Sequence, residues 1–216
     1  MSQNKFIFVT NIIQKVMESV EKKIEQAIRR RPKGSIFFAD DFSKYGSPEA
    51  IRKSLERLHN KEKITRLAHG IYTKPKESKY LGAVMPSAEE VAEAITKRDK
   101  IRTVPTGNYA LNALGLSPQI PMKIVLLTDG SPRELKIGKR TINFKKSTPN
   151  NLLAKGKISR LVIQALKEIG KEKIDEREEK KIIELLKSEN IQDLKHDINL
   201  APAWIRKIMN KAILND

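Results

Sequence analysis

Gly46-Ser-Pro-Glu-Ala-Ile-Arg-Lys-Ser-Leu-Glu-Arg-Leu-His-Asn60 carries the clearest local signal in the chain. Ser47 is a good helix N-cap, and Pro48 suits the first helical position, where a missing N–H costs nothing. Ile51, Leu55 and Leu58 recur at steps of four and three and make one apolar stripe. At about 100° per residue, Glu49, Lys53, Glu56, Arg57 and Asn60 fall away from that stripe. The pattern predicts a short helix with a sharp start, one buried face and a polar, largely basic opposite face. A helix that reads a DNA groove has this form, and so has an ordinary solvated surface helix. The flanking sequence has to decide between them.

Upstream, Val20, Ile24, Ala27 and Ile28 step at helical spacing after Ser19, while Glu21, Lys22, Lys23 and Glu25 cover the other face. Pro32 and Gly34 end that helix. Ser35-Ile-Phe-Phe38 is β-prone and can pair with a later hairpin. Residues 39–45 predict one to two turns of helix with Phe42 facing inward. Downstream, residues 63–67 and 71–74 flank Ala68-His-Gly70, a connection with the glycine a tight hairpin wants, and Pro75 stops the second strand. The order helix, short strand, short helix, turn, helix, hairpin predicts a winged helix-turn-helix. In that motif the third helix enters the major groove and the hairpin contacts the adjacent backbone. The candidate DNA contacts on the helix are Ser47, Arg52, Lys53 and Arg57, with Arg66 and His69 in the hairpin. Arg52 lies beside the apolar stripe and is placed for a phosphate; Lys53 and Arg57 are placed for base edges.

Charge agrees with this placement. The 216 residues carry a formal +17. Residues 1–80 hold 18 Lys/Arg against 9 Asp/Glu, a net +9; residues 81–149 hold 11 against 6, and residues 150–216 hold 14 against 11. The excess is concentrated around the opening stretch, which favours a nucleic-acid face there. With no cysteine, the chain has no disulfide framework, no thiolate metal site and no cysteine nucleophile. No apolar run approaches the roughly 18–20 residues of a membrane span. The N-terminal patch Phe6-Ile-Phe-Val9 is too short for a secretory core and lacks a small-residue cleavage site, so a cytoplasmic protein is expected.

The rest of the chain reads differently. Residues 77–86 look like a linker, charged and then punctuated by Gly82 and Pro86. Ser87 and Glu90 form a capping-box pair that opens a helix to about residue 97. Residues 103–108 read as a loop, and residues 109–114 as a short helix ended by Gly115. Ile124-Val-Leu-Leu-Thr128 is a compact run of buried-strand type, and residues 133–137 and 141–144 bracket a second hairpin at Gly138. From Asn151 the pattern turns amphipathic and helical, interrupted at Gly156, with further helices over residues 180–186, 191–194 and 202–214. There is no internal repeat and no heptad run long enough for a coiled coil. The expected fold class is α+β: an extension (1–15), a winged helix-turn-helix (16–76), a linker (77–86), and a mixed α/β domain ending in a helical C-terminal tail (87–216).

Chemistry is hard to find. His59, His69 and His196 are scattered, without a second ligand at zinc spacing. The glycine loops match neither a phosphate loop nor a dinucleotide fingerprint. Asp129 ends a strand, where catalytic carboxylates often lie, but a lone carboxylate there is usually a turn former. Lys145 and Lys146 could extend a basic surface, and Trp204 fits a core or an interface. No catalytic residue, metal ligand or cofactor is expected, and the chain is not read as an enzyme.

Three further segments, with the hairpin, carry a family resemblance. Ile64-Thr-Arg-Leu-Ala-His-Gly-Ile-Tyr72, following a winged-helix pattern, resembles the wing of AbiEi-type antitoxins. Thr106-Gly-Asn-Tyr-Ala-Leu-Asn-Ala-Leu-Gly-Leu-Ser117, Ile124-Val-Leu-Leu-Thr-Asp-Gly130 and Ile137-Gly-Lys-Arg-Thr-Ile-Asn-Phe144 resemble that family's second domain. The similarity runs over roughly residues 15–150, and the helical end fits more loosely. The resemblance implies an antitoxin of the type IV abortive-infection toxin–antitoxin class. Its winged helix would repress its own operon at promoter inverted repeats in double-stranded DNA, as a possible homodimer. Its C-terminal domain would counteract a nucleotidyltransferase-like toxin without a stable complex. The alternative is a winged-helix protein-interaction module in which the basic charge is incidental. A third reading makes residues 81–216 an enzyme that depends on Asp129.

Overall fold

A computed structural model describes residues 19–80 and 82–214; the apolar patch at residues 6–9 and the extension 1–15 lie outside the described residues. The chain divides into two compact units, residues 1–87 and 88–216. The architecture mixes helices with small sheets and is α+β, as the sequence pattern predicts.

In the first unit, Ser19 accepts a hydrogen bond from the backbone N–H of Lys22 at 3.2 Å and starts α1 (Val20–Arg29). Strand β1 (Ile36–Phe38) leads into a 3-10 helix over Ala39–Tyr45, tighter than an ordinary helix. The Asp41 carboxylate turns back to accept from the Phe38 N–H at 3.2 Å, which fixes that turn. Helix α2 (Pro48–Asn60) follows, capped by Ser47 Oγ accepting from the Ala50 N–H at 3.3 Å. Strands β2 (Thr65–Ala68) and β3 (Ile71–Thr73) complete the unit's main sheet, in the order β1-β3-β2, all antiparallel. Phe37 lies opposite Tyr72, and β2 bulges between Arg66 and Ala68.

The predicted stripe of α2 is the buried one. Ile51, Leu55 and Leu58 join Ile24 and Ile28 of α1, Phe37, Phe42, Ile64 and Tyr72 in one core. The Phe37 ring stacks on Tyr72 at 6.1 Å and meets Phe42 edge-on at 5.7 Å. Burial of each such side chain stabilises by about 1.5–3 kcal/mol. Gly46 lies where a Cβ would come within 2.9 Å of Val20 Cγ2, so the entry to α2 can pass this close to α1 only as glycine. The stretch read as a linker over residues 77–86 instead carries most of a hairpin, of β4 (Lys76–Ser78) and β5 (Gly82–Val84). Three-residue strands without an apolar alternation leave no periodic trace in a sequence.

The second unit opens with α3 (Ala88–Asp99) and β6 (Thr103–Thr106). Strand β6 replaces an expected loop. Pro105 argues against a central strand but is tolerated at an edge, and β6 is the edge of the sheet β6-β7-β9-β8. Helix α4 (Asn108–Ala113) precedes β7 (Lys123–Thr128), β8 (Arg133–Ile137) and β9 (Arg140–Lys146). β9 runs parallel to β7, with Ile124 beside Ile142 and Leu126 beside Phe144; the other pairs are antiparallel. All four of these side chains are buried.

A short 3-10 helix (Pro149–Leu152) leads to α5 (Lys157–Ile169), α6 (Glu176–Lys187), α7 (Ile191–Leu200) and α8 (Ala203–Leu214). These helices do not form a tail. With α4 they enclose a core of Val162, Leu166, Ile182, Leu186, Leu194, Ile205 and Met209, among others. The start of α5 is held by two carboxylates from later in the chain. Glu189 accepts from the N–H groups of Ile158 (2.6 Å) and Ser159 (3.1 Å), and the buried Asp197 accepts from those of Lys155 (2.9 Å) and Gly156 (2.8 Å). A Cβ on Gly156 would collide with Ser159 Oγ and the Glu189 carboxylate. The interruption read in the sequence is therefore a point of close approach.

Candidate nucleic-acid interface

The six residues expected to meet DNA fall into two clusters, one on each flank of α2. Arg52, Arg66 and His69 surround a cleft of about 380 Å³ whose apolar lining includes Ile51 and Tyr72. The Arg66 guanidinium approaches His69 Nδ1 at 3.3 Å and the Ala68 carbonyl at 3.4 Å, both near the long limit of a hydrogen bond. A guanidinium only donates, so His69 Nδ1 must be the acceptor there and the imidazole proton is placed on Nε2. Arg52 is exposed, and among the described residues its side chain forms no ion pair. Burial pushes the Tyr72 hydroxyl pKa up, which keeps this part of the cleft neutral.

On the opposite flank, Ser47, Lys53 and Arg57 share a shallow depression of about 340 Å³ with Ser19 and Glu21. Both cations are already paired. Lys53 Nζ lies 2.8 Å from Glu49, one helical turn back. Arg57 reaches Glu21 of α1 at 3.2 Å, and Lys61 reaches the same carboxylate at 2.6 Å. The Glu21 side chain is only 16% exposed. The Lys61 hydrogen bond holds its carboxyl below the usual range; burial opposes this and Arg57 adds to it. Arg57 and Lys53 remain more than half exposed, so either can exchange its carboxylate for an incoming phosphate or base. Ser47 Oγ accepts a bond as the cap, which leaves its hydroxyl proton available to donate.

Glu21 was visible in the sequence only as part of a polar helix face. Its partner lies 36 residues away, and no local spacing rule connects the two. Glu56 was likewise read as polar surface; it lies on the outermost arc of α2, between the two clusters, and lines the Arg52 cleft.

The second unit's candidates fall outside this face. Asp129 accepts from the Arg102 guanidinium (2.9 Å) and from the Arg102 backbone N–H (2.8 Å), which together lower its pKa and make it a turn anchor. Lys146 donates to the Asp129 carbonyl at 3.0 Å, while Lys145 lines an open groove with Val125 and Leu127. His59, which belongs to the first unit and lines the Arg52 cleft, has its Nδ1 3.2 Å from the Ile64 carbonyl oxygen, whereas in the second unit Trp204 packs against the helical core. His196 pairs with Asp197 at 2.7 Å, and Ser159 Oγ also bonds to Asp197. These three residue types recur in hydrolases, but here the carboxylate sits between serine and histidine. A nucleophilic serine needs the imidazole next to it to take its proton. Ser159 and Asp197 are both fully buried, and the group anchors α5. Among the described residues no group of three His, Cys, Asp or Glu side chains is placed to hold a metal ion, and no helix is long and apolar enough to cross a membrane.

Comparison with known proteins gives two findings. A model for a family of unknown function (DUF6088) matches residues 23–194. The crystal structure of the RV2827C protein from Mycobacterium tuberculosis is similar over 90% of this chain and 82% of its own, with a TM-score of 0.42 and 10% identity. No curated protein matches the chain.

Proposed function

The chain belongs to that family of unknown function, DUF6088, and we propose that it is a sequence-specific DNA-binding transcriptional repressor with an antitoxin second unit. In this reading the first unit is a winged helix-turn-helix. Helix α2 enters the major groove and the β2–β3 hairpin lies against the backbone as the wing. The observation that carries it is the pair of basic clusters flanking α2, in the part of the chain where residues 1–80 hold a net +9. Arg52, Arg66 and His69 contact phosphates, and Ser47 donates to a phosphate at the helix N-terminus. Lys53 and Arg57 give up Glu49 and Glu21 to reach base edges, where basic side chains pair with guanine.

The antitoxin part rests on the resemblance to AbiEi-type antitoxins. The target is double-stranded promoter DNA with inverted repeats, met by two copies of the chain, and the second unit opposes a nucleotidyltransferase-like toxin without a stable complex. The protein acts in the cytoplasm, uses no cofactor and catalyses no reaction. A gel shift with the chain's own promoter tests the DNA role. Lys53→Ala and Arg57→Ala each weaken binding by about 1–3 kcal/mol and relax sequence preference. Unchanged binding and preference in the double variant would remove these two residues from the interface.

A further inference from the structure

A cleft of about 500 Å³ opens in the second unit beside α3, above β6 and β7. Val104, Ile124 and Leu126 give it an apolar lining, and its size is within the range of small-molecule sites. Besides the exposed Glu93, two polar side chains line it without a hydrogen-bond partner among the described residues. One is Arg160, at the start of α5, whose Nε is sealed from solvent and donates to nothing. The other is Tyr109 of α4, half-buried, whose hydroxyl forms no hydrogen bond. A buried guanidinium N–H without an acceptor is rare in folded proteins and costly to keep, because water no longer satisfies it.

The carboxylates of the α3 wall do not answer this need. Glu89 is engaged by Arg140 at 2.5 Å, and Glu93 is exposed. They do restrict what could. Their repulsion grows with the charge of an anion, so a monoanion facing Arg160 is opposed less than a phosphate dianion is. The apolar lining then takes the body of the ligand.

We propose that this cleft binds a small organic acid, its carboxylate held by the outer N–H groups of the Arg160 guanidinium and by the Tyr109 hydroxyl, and its compact apolar body lying over Ile124 and Leu126. The guanidinium geometry suits a planar carboxylate. The Tyr109 hydroxyl, whose pKa burial pushes up, stays protonated and able to donate. This site lies in the second unit and does not depend on the DNA reading of the first.

Calorimetric titration and thermal melting of the full chain test it, with benzoate as the probe and phenyl phosphate and inorganic phosphate as comparators. Benzoate binds in the millimolar range or tighter and raises the melting temperature, more than either comparator does. Arg160→Met weakens that binding about tenfold or more. It also raises the melting temperature of the ligand-free protein, since an unpaired, half-buried charge has been replaced by an apolar chain. Tyr109→Phe, which keeps the ring and the packing, weakens binding by a smaller factor. Absence of benzoate binding overturns the proposal, as does phosphate binding as strongly as benzoate, binding that survives Arg160→Met, or a loss of ligand-free stability in that variant.

Discussion

Glu21 ties α1 to α2 by holding Arg57 and Lys61, and its depressed pKa makes the tie dependent on pH. A carboxyl whose pKa is lowered by folding stabilises the native state above its unfolded value and loses that contribution as pH falls through the folded value. Glu21→Gln therefore lowers the melting temperature at neutral pH. The gap to the parent protein narrows only as pH falls below the ordinary glutamate range, where the parent's own carboxyl at last takes up its proton. Melting curves of the two proteins across pH 3–7 measure this directly. The same substitution frees two cations on the flank of α2 and removes a negative charge near the groove, so in the proposed role it tightens DNA binding. The candidate contacts were legible as residues: six side chains on one helix and one hairpin. Their division into two clusters was not, because Arg66 and His69 join Arg52 only through the turn of the sheet, and Arg57 meets Glu21 only through packing of α2 on α1.

At the scale of elements, legibility followed the strength of the local signal. Helix α2 announced itself by Ser47, Pro48 and a three-residue stripe, and β1 by an aromatic run; both stand where the pattern put them. The β4–β5 hairpin and β6 were missed because their strands are three or four residues long and one contains Pro105. The helices after Asn151 were seen singly but taken for a tail, since amphipathic stripes do not say which other stripes they face. What organises them is Asp197, which reaches back some 40 residues to the start of α5. Removing it leaves the Gly156 N–H and the Ser159 hydroxyl buried without an acceptor and takes the partner of the Lys155 N–H away. Asp197→Ala should cost about 3 kcal/mol or more of the second unit's stability, read from urea unfolding. Asp197→Asn keeps one acceptor oxygen and costs less. An alanine variant as stable as the parent would show that the network carries no weight.

At the scale of the whole molecule, two units with separate cores divide the proposed work: recognition of DNA in the first, and the antitoxin role and an organic-acid cleft in the second. The central claim concerns the first, and salt tests it most directly. Each phosphate neutralised by a cation releases counterions, so affinity falls with salt in proportion to the number of contacts. Four cations per copy, Arg52, Lys53, Arg57 and Arg66, give a log–log slope of about −3.6 if all of them meet phosphate, and correspondingly less for each that reads a base edge alone. That upper figure corresponds to a loss of about a hundredfold between 50 and 200 mM salt, and to twice the slope for two copies on an inverted repeat. The measurement is fluorescence anisotropy of the full chain on its own promoter duplex across that range. Tight binding at low salt with a steep negative slope, made shallower by removing those cations, is the expected result. No affinity for the duplex at low salt, or affinity indifferent to salt, would contradict it and leave the first unit as a protein-docking module.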